Sequence, residues 1–360
     1  MRVGYFCYHL SGTGPATRAR DVINAIAAET PVDVVVLTGE PEKVDSAATV
    51  VPVDVRHPLD AAQKVRHHFA DMDLVHVPIN VYQAAFVRLG YRGPLVGGVG
   101  PGIQSTLRHG LLGRAIGIDL KIKTHESMRR WDRYGYETAV CTATIDRDVF
   151  RPYDDDSIRT TRRNLGLDPE TNVLLYVGEL SEPQGAHLVS ELAREYGSDT
   201  DTEKTVVVAG DGPLRSTFEG REDLRYDGFV SNDALPDYYN AAYVTVIPRK
   251  EDVTSNVGLE SIACGTPVVT TADGIVRDLF EARGTYVWAD RNVAAIRETV
   301  DALLADDDRY RAQVTRGLET FDDMALSLDD AVDTHRRIYE RLVVDSDSDE
   351  VRAKGPRASP

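Results

Sequence analysis

Apolar runs of strand length alternate with longer amphipathic stretches along most of the 360 residues. Parallel strands joined by helices produce this alternation, because such strands are covered on both faces and the helices on one. In the first half, strands are predicted near Arg2–Tyr8, Val32–Leu37, Leu74–Val77, Pro94–Val99 and Asp119–Lys123. Helices are predicted near Ala16–Ala28, Asp60–Phe69, Tyr82–Gly90 and Ser127–Tyr134. The chain turns polar around Arg151–Ser157, the expected hinge, and the alternation restarts at Val173. Second-half strands are predicted near Val173–Val177, Lys204–Ala209, Leu224–Tyr226, Val244–Ile247, Pro267–Thr271 and Thr285–Val287. Between Leu326 and Val343 apolar residues recur at helical spacing, which predicts a terminal helix. Asp345-Ser-Asp-Ser-Asp-Glu and the residues after it lack such spacing, so 345–360 is expected to be a disordered tail. The fold class is α/β, with one domain over 1–150 and a second over 158–325.

Charge narrows the range of partners. A formal net charge of −17 and a pI near 5.0 leave no basic footprint, which argues against nucleic acid. Lysine is confined to Lys43, Lys64, Lys121, Lys123, Lys204, Lys250 and Lys354, and aspartate outnumbers glutamate by roughly two to one. That bias suits a salt-rich cytoplasm, where repulsion between acidic groups is screened, as in halophilic proteins. A GC-rich genome with an ordinary acidic surface gives the same bias. Cys7, Cys141 and Cys264 are scattered and odd in number, so they read as free thiols rather than a disulfide framework. Met1-Arg-Val-Gly-Tyr-Phe-Cys lacks the pattern of a signal peptide. No apolar run approaches the roughly 20 residues of a spanning helix. A cytoplasmic protein without a transmembrane segment is expected, with peripheral membrane contact left open.

Three loops follow predicted strands, where open parallel sheets bind ligands. The most informative is Glu251-Asp-Val-Thr-Ser-Asn-Val-Gly-Leu-Glu-Ser-Ile-Ala-Cys-Gly-Thr-Pro-Val-Val269. It reads as a polar loop, a short helix capped by Asn256, and a turn into a buried strand. Gly258 leaves the first turn bare, so that a phosphate can approach the amides of Val257, Gly258 and Leu259. Glu260 and Asp252, eight residues apart, are carboxylates suited to sugar or ribose hydroxyls. The bland alternative makes Glu260 a structural salt-bridge partner. Leu10-Ser-Gly-Thr-Gly-Pro-Ala16 places Gly12 and Gly14 after the first strand, as a ligand loop or a plain tight turn. The third loop is Gly178-Glu-Leu-Ser-Glu-Pro-Gln-Gly185.

These segments resemble the family 4 glycosyltransferases. In that family two Glu residues eight apart flank a Gly-Leu pair and precede Ala-x-Gly-x-Pro-Val. Leu174–Ser181 with Gly185, Val206–Leu214, Gly228-Phe-Val230 and Leu235–Ala242 resemble the strands, loops and helix of the family's C-terminal domain, and Ile145-Asp146, Phe150 and Pro152 the end of its N-terminal domain. The resemblance is dense from about Asp146 to Asp278. It implies a GT-B fold of two facing Rossmann-like domains with a cleft between them. It also implies a nucleotide-diphosphate sugar donor, a hydroxyl acceptor of unspecified kind (a glycan, a lipid-linked glycan or a small molecule), retention of configuration, and no metal or other cofactor. On that basis Glu260 binds the ribose, Asp252 the transferred sugar and acts in catalysis, Gly178 the phosphate, and Phe229 lies by the base. The terminal helix is expected to return to the N-terminal domain.

The chain departs from the family at the phosphates. An Arg after Gly178 and a Lys five residues later are usual, whereas here stand Glu179 and Gln184. Like charges 4 Å apart repel by roughly 1 kcal/mol in water and several times more when shielded. Arg249 and Lys250 are candidate replacements that read equally as surface charges, with Arg18 a second candidate from the N-terminal side. A sugar- or nucleotide-binding protein without catalysis, and a sugar epimerase, are the competing readings. Asp71-Met-Asp73 and Asp154-Asp-Asp156 read as helix-end and hinge polarity. His67, His68, His109, His125 and His335 have no ligand spacing. Gly97-Gly-Val-Gly-Pro-Gly102 offers no histidine for the acceptor.

Overall fold

The computed structural model describes residues 1–11, 14–79, 81–98, 107–124, 137–141, 145–199, 204–250 and 256–353. The chain divides into two compact units, 1–144 with 326–360, and 145–325. Each is a parallel sheet covered by helices on both faces.

In the first unit the strands are β1 (Arg2–Phe6), β2 (Asp33–Thr38), β3 (Thr49–Pro52), β4 (Leu74–Val77), β5 (Leu95–Gly98), β6 (Leu120–Lys123) and β7 (Glu137–Val140). Their order is β3-β2-β1-β4-β5-β6-β7, with Val3 to Phe6 beside Val34 to Leu37. The helices are α1 (Gly14–Glu29), α2 (Pro58–His68), α3 (Val81–Gly90), α4 (Leu107–Ile116) and, at the end of the chain, α12 (Leu328–Ala353). Alternate strand residues serve two cores. Val3, Tyr5, Val34 and Val36 pack with Ile23 of α1 and Tyr339 of α12. Phe6, Val35, Leu37 and Val75 pack with Val65 of α2 and Val87 of α3.

The second unit holds β8 (Asn172–Val177), β9 (Lys204–Ala209), β10 (Arg225–Gly228), β11 (Val244–Ile247), β12 (Val268–Thr270) and β13 (Val287–Trp288), in the order β10-β9-β8-β11-β12-β13. Its helices are α5 (Asp155–Asn164), α6 (Ala186–Gly197), α7 (Leu235–Ala241), α8 (Asn256–Ala263), α9 (Ile275–Phe280), α10 (Val293–Leu304) and α11 (Asp307–Met324). Leu174 and Tyr176 of β8 and Val206 and Val208 of β9 form one core with Leu188 and Leu192 of α6 and Val300 of α10.

Several expectations are corrected. The polar stretch 151–157 is anchored to the second unit rather than free between units. The Tyr153 amide donates to Asn240 Oδ1 at 2.8 Å, Asn240 Nδ2 donates to the Arg151 carbonyl at 3.1 Å, and Asp154 caps α5 through the Ser157 amide. The unit boundary falls at Thr144/Ile145 instead. The acidic stretch from Asp345 continues α12 to Ala353, because extending a formed helix costs far less than nucleating one. β3, β7 and α4 were not anticipated. The expected helix Ser127–Tyr134 lies outside the described residues. Asp71 and Asp73 both pair with Arg2, through its guanidinium and its amide, which accounts for them structurally.

Candidate functional site

The strand order of the second unit reverses direction between β8 and β11, since β8 neighbours β9 on one side and β11 on the other. Such a switch point opens a crevice beyond the carboxyl ends of the strands. The loop Gly178–Gly185 leaves β8 there, and the Arg249–Lys250 segment leaves β11 towards α8. Gly185, at φ +77°, locks the two together: a Cβ on it would sit 2.1 Å from the Pro248 carbonyl oxygen, so no side chain fits. Gly178 holds φ +147°, its amide donates to the Ala209 carbonyl at 3.0 Å, and the Gly210 amide donates to the Gly228 carbonyl at 2.6 Å. The carboxyl ends of β8, β9 and β10 are thereby drawn together. Phe229, directly after β10, is 81% exposed, an unusual state for an aromatic side chain.

α8 is seated by hydroxyls as well as by apolar contacts. Leu259 and Ile262 are buried, each contributing about 1.5–3 kcal/mol by area. Ser261 Oγ lies 2.8 Å from Thr245 Oγ1 of β11 and 2.9 Å from the Thr266 carbonyl oxygen, and Thr266 Oγ1 donates to the Tyr239 carbonyl at 2.7 Å. Glu260 is 5% exposed, and its Oε2 accepts the Tyr239 hydroxyl at 2.8 Å. Burial first, and this carboxylate second, hold the Tyr239 phenol well above its ordinary pKa; the same two causes raise the Cys264 thiol.

Three details differ from the sequence reading. Asn256 is the first residue of α8 rather than its cap. By helix geometry the amides of Asn256, Val257 and Gly258 precede the hydrogen-bond ladder, whereas that of Leu259 lies within it. The bare side of Gly258 is filled by protein: a Cβ there would lie 2.5 Å from Tyr286 Oη and 3.4 Å from Ile247 Cδ1. Its lack of a side chain therefore serves the packing of Tyr286.

Cations gather at the β8–β11 junction despite the acidic loop. Arg249 is half-buried and Lys250 exposed. Burial pushes the Tyr176 phenol up while the Arg249 guanidinium pulls against it, and the Tyr176 hydroxyl donates to the Glu179 carbonyl at 2.8 Å. Arg249 directly follows Pro248, whose carbonyl oxygen packs on Gly185 at the end of the Gly178 loop. The backbone of 249–250 is tied to the end of β12, with Thr271 Oγ1 donating to the Arg249 carbonyl at 2.9 Å and the Asp273 amide to that of Lys250 at 3.1 Å. Arg291, absent from the sequence reading, reaches the same junction: its Nε donates to the Pro248 carbonyl at 3.2 Å and an Nη2 to that of Glu182 at 3.4 Å. Only its position after β13, on the returning chain, brings it there, so no local motif could reveal it.

Asp252 and Gly12 are outside the described residues; Gly14 opens α1. Arg18 belongs to the first unit, where burial lowers its pKa and Cys141 nearby opposes that. Among the described residues no cluster of His, Cys, Asp or Glu could hold a metal ion, and no helix is long and apolar enough to cross a membrane. The three cysteines are unpaired thiols.

The family described as Glycosyl transferases group 1 matches residues 157–319. A D-inositol 3-phosphate glycosyltransferase of Acidothermus cellulolyticus is 31% identical over 211 residues, 53% of this chain and 46% of that protein. The chain spans under half the length of such curated relatives. Among solved structures, the Anabaena protein HepE in complex with UDP has a TM-score of 0.74 at 15% identity, covering 95% of this chain and 99% of that one. A glycosyltransferase from Rickettsia africae gives 0.76 at 10% identity, covering 95% and 98%. Residues 157–319 are a glycosyl transferases group 1 domain, carried on the two-sheet fold of the GT-B glycosyltransferases.

Proposed function

We propose that the protein transfers a sugar from a nucleotide-diphosphate donor to a hydroxyl acceptor, with retention of configuration and without a metal. The observation that carries the reading is the convergence of the Gly178–Gly185 loop, the start of α8 and Arg249 at the switch point of the second sheet. The donor's diphosphate lies against the first-turn amides of α8, where free N–H groups and the helix dipole favour an anion. Glu260 accepts from the ribose, Asp252 from the transferred sugar, and Phe229 stacks on the base. Charge developing on the leaving diphosphate is stabilised by Arg249 and Lys250, an electrostatic contribution fixed before reaction. Gly12 and Gly14 serve donor binding, and Arg18 the acceptor or the phosphate. That Glu179 stands where a cation is usual favours a second reading, a nucleotide-sugar binder without catalysis.

Incubation of the wild type with UDP-, GDP- and ADP-sugars separates the two. Release of nucleoside diphosphate, slow without acceptor and faster with one, is expected. Binding of a nucleotide sugar with no release from any of the three donor classes would favour the binder. Absence of binding would remove both.

A further inference from the structure

We infer that Arg291 is a ligand of the donor diphosphate, supplying from the loop after β13 the positive charge that the loop after β8 lacks. The inference rests on reading the β8–β11 junction as a nucleotide-diphosphate site. Glu179 and Glu182, both exposed, make the Gly178–Gly185 loop acidic, and Gln184 adds no charge. The Arg291 guanidinium makes two bonds: one goes to the Glu182 carbonyl, the other to the Pro248 carbonyl, the same oxygen that packs on Gly185. Both anchors are neutral carbonyls. Among the described residues no carboxylate forms an ion pair with Arg291, in contrast to nearby Arg277 and Arg297, which are held by Asp and Glu. Among the same residues Nη1 makes no hydrogen bond. A guanidinium oriented through Nε and one Nη, with the other Nη unused, is prepared to meet an anionic oxygen with a charge-assisted bond. Two backbone anchors also remove much of the rotamer entropy that a free arginine loses on binding.

The alternative is a clamp that only fastens the two loops, and the experiment separates them. UDP, GDP and ADP are titrated into the wild type, and the nucleotide that binds is compared with its own nucleoside in Arg291→Gln and Arg291→Lys. Gln keeps an N–H donor for the carbonyls but loses the charge; Lys keeps the charge but loses the fork. The diphosphate is expected to bind Arg291→Gln about tenfold or more weakly, the nucleoside within about twofold of wild type, and Arg291→Lys to fall between. Unchanged diphosphate affinity in Arg291→Gln, or an equal loss for nucleoside and diphosphate, overturns the inference in favour of the clamp. Should Arg291→Gln fail to fold, Arg291→Lys decides alone, since loss of the fork must still weaken diphosphate more than nucleoside. If none of the three diphosphates binds the wild type, the nucleotide reading falls first and this one with it.

Discussion

At the residue scale, Glu260 has a structural role beside the ribose-binding one proposed for it. Its Oε2 satisfies a fully buried tyrosine hydroxyl, so Glu260→Ala strands the Tyr239 O–H and should cost about 1–3 kcal/mol of stability. Glu260→Gln keeps an acceptor for Tyr239 while removing the charge that favours ribose hydroxyls. That variant should unfold near the wild-type urea midpoint yet bind the nucleotide about tenfold more weakly or worse. Nucleotide affinity equal to wild type in Glu260→Gln would leave the carboxylate a structural acceptor alone. Glu260 and Arg249 could be named as candidates from the chain because they sit in or beside a local motif. Tyr239 and Tyr286 could not: they meet α8 from α7 and from the residue just before β13, across sequence gaps that pattern does not span. The packing of Tyr286 on Gly258, 28 residues away, is hidden from pattern in the same way.

At the element scale, the buried parallel strands were legible because both faces are covered and their apolar runs are continuous. β3 and β7, the two edges of the first sheet, are short and partly exposed, and their composition differs little from that of a loop. α4 carries Gly110 and Gly113, residues that weaken a helical pattern, and was overlooked. α12 was anticipated, but not the polar network that docks it. Tyr339 Oη lies 2.9 Å from Tyr5 Oη and 2.7 Å from His76 Nδ1, and His335 Nδ1 lies 2.7 Å from the Ala331 carbonyl oxygen, with Cys141 Sγ 3.9 Å away. A carbonyl only accepts, so His335 carries its proton on Nδ1. Burial pushes His335 down to about 4 and His76 well below its ordinary range. Both are neutral when folded and gain a proton more readily when unfolded. Their contribution is therefore full above pH 6.5 and declines as pH falls from 6.5 towards 4, for His335 on the order of 3 kcal/mol. Urea unfolding at pH 6.5 and pH 5 should show a steeper loss in wild type than in His335→Gln. Equal losses in the two proteins would exclude His335 as the source.

At the scale of the whole molecule, the two units differ in how the chain builds them, and that difference is testable. The second unit is one continuous stretch, 145–325, with its own core linking β8, β9, α6 and α10. The first is discontinuous: Ala331, Val332, Ile338, Tyr339 and Leu342 of α12 are buried in a core otherwise drawn from the first 144 residues. Losing α12 would uncover Tyr5 and the face of the sheet on which α1 and α12 pack. With roughly 1.5–3 kcal/mol for each large apolar side chain exposed, the loss of several is comparable to the whole stability of a typical domain. A fragment of residues 145–325 should therefore unfold cooperatively by itself and retain affinity for the diphosphate that the full chain binds. Residues 1–144 alone should aggregate or stay unfolded, and 1–144 joined through a flexible linker to 328–353 should recover a cooperative transition. Circular dichroism and denaturant titration of the three fragments give the answer. A cooperative transition in 1–144 alone would mean that α12 covers the first unit without holding it together.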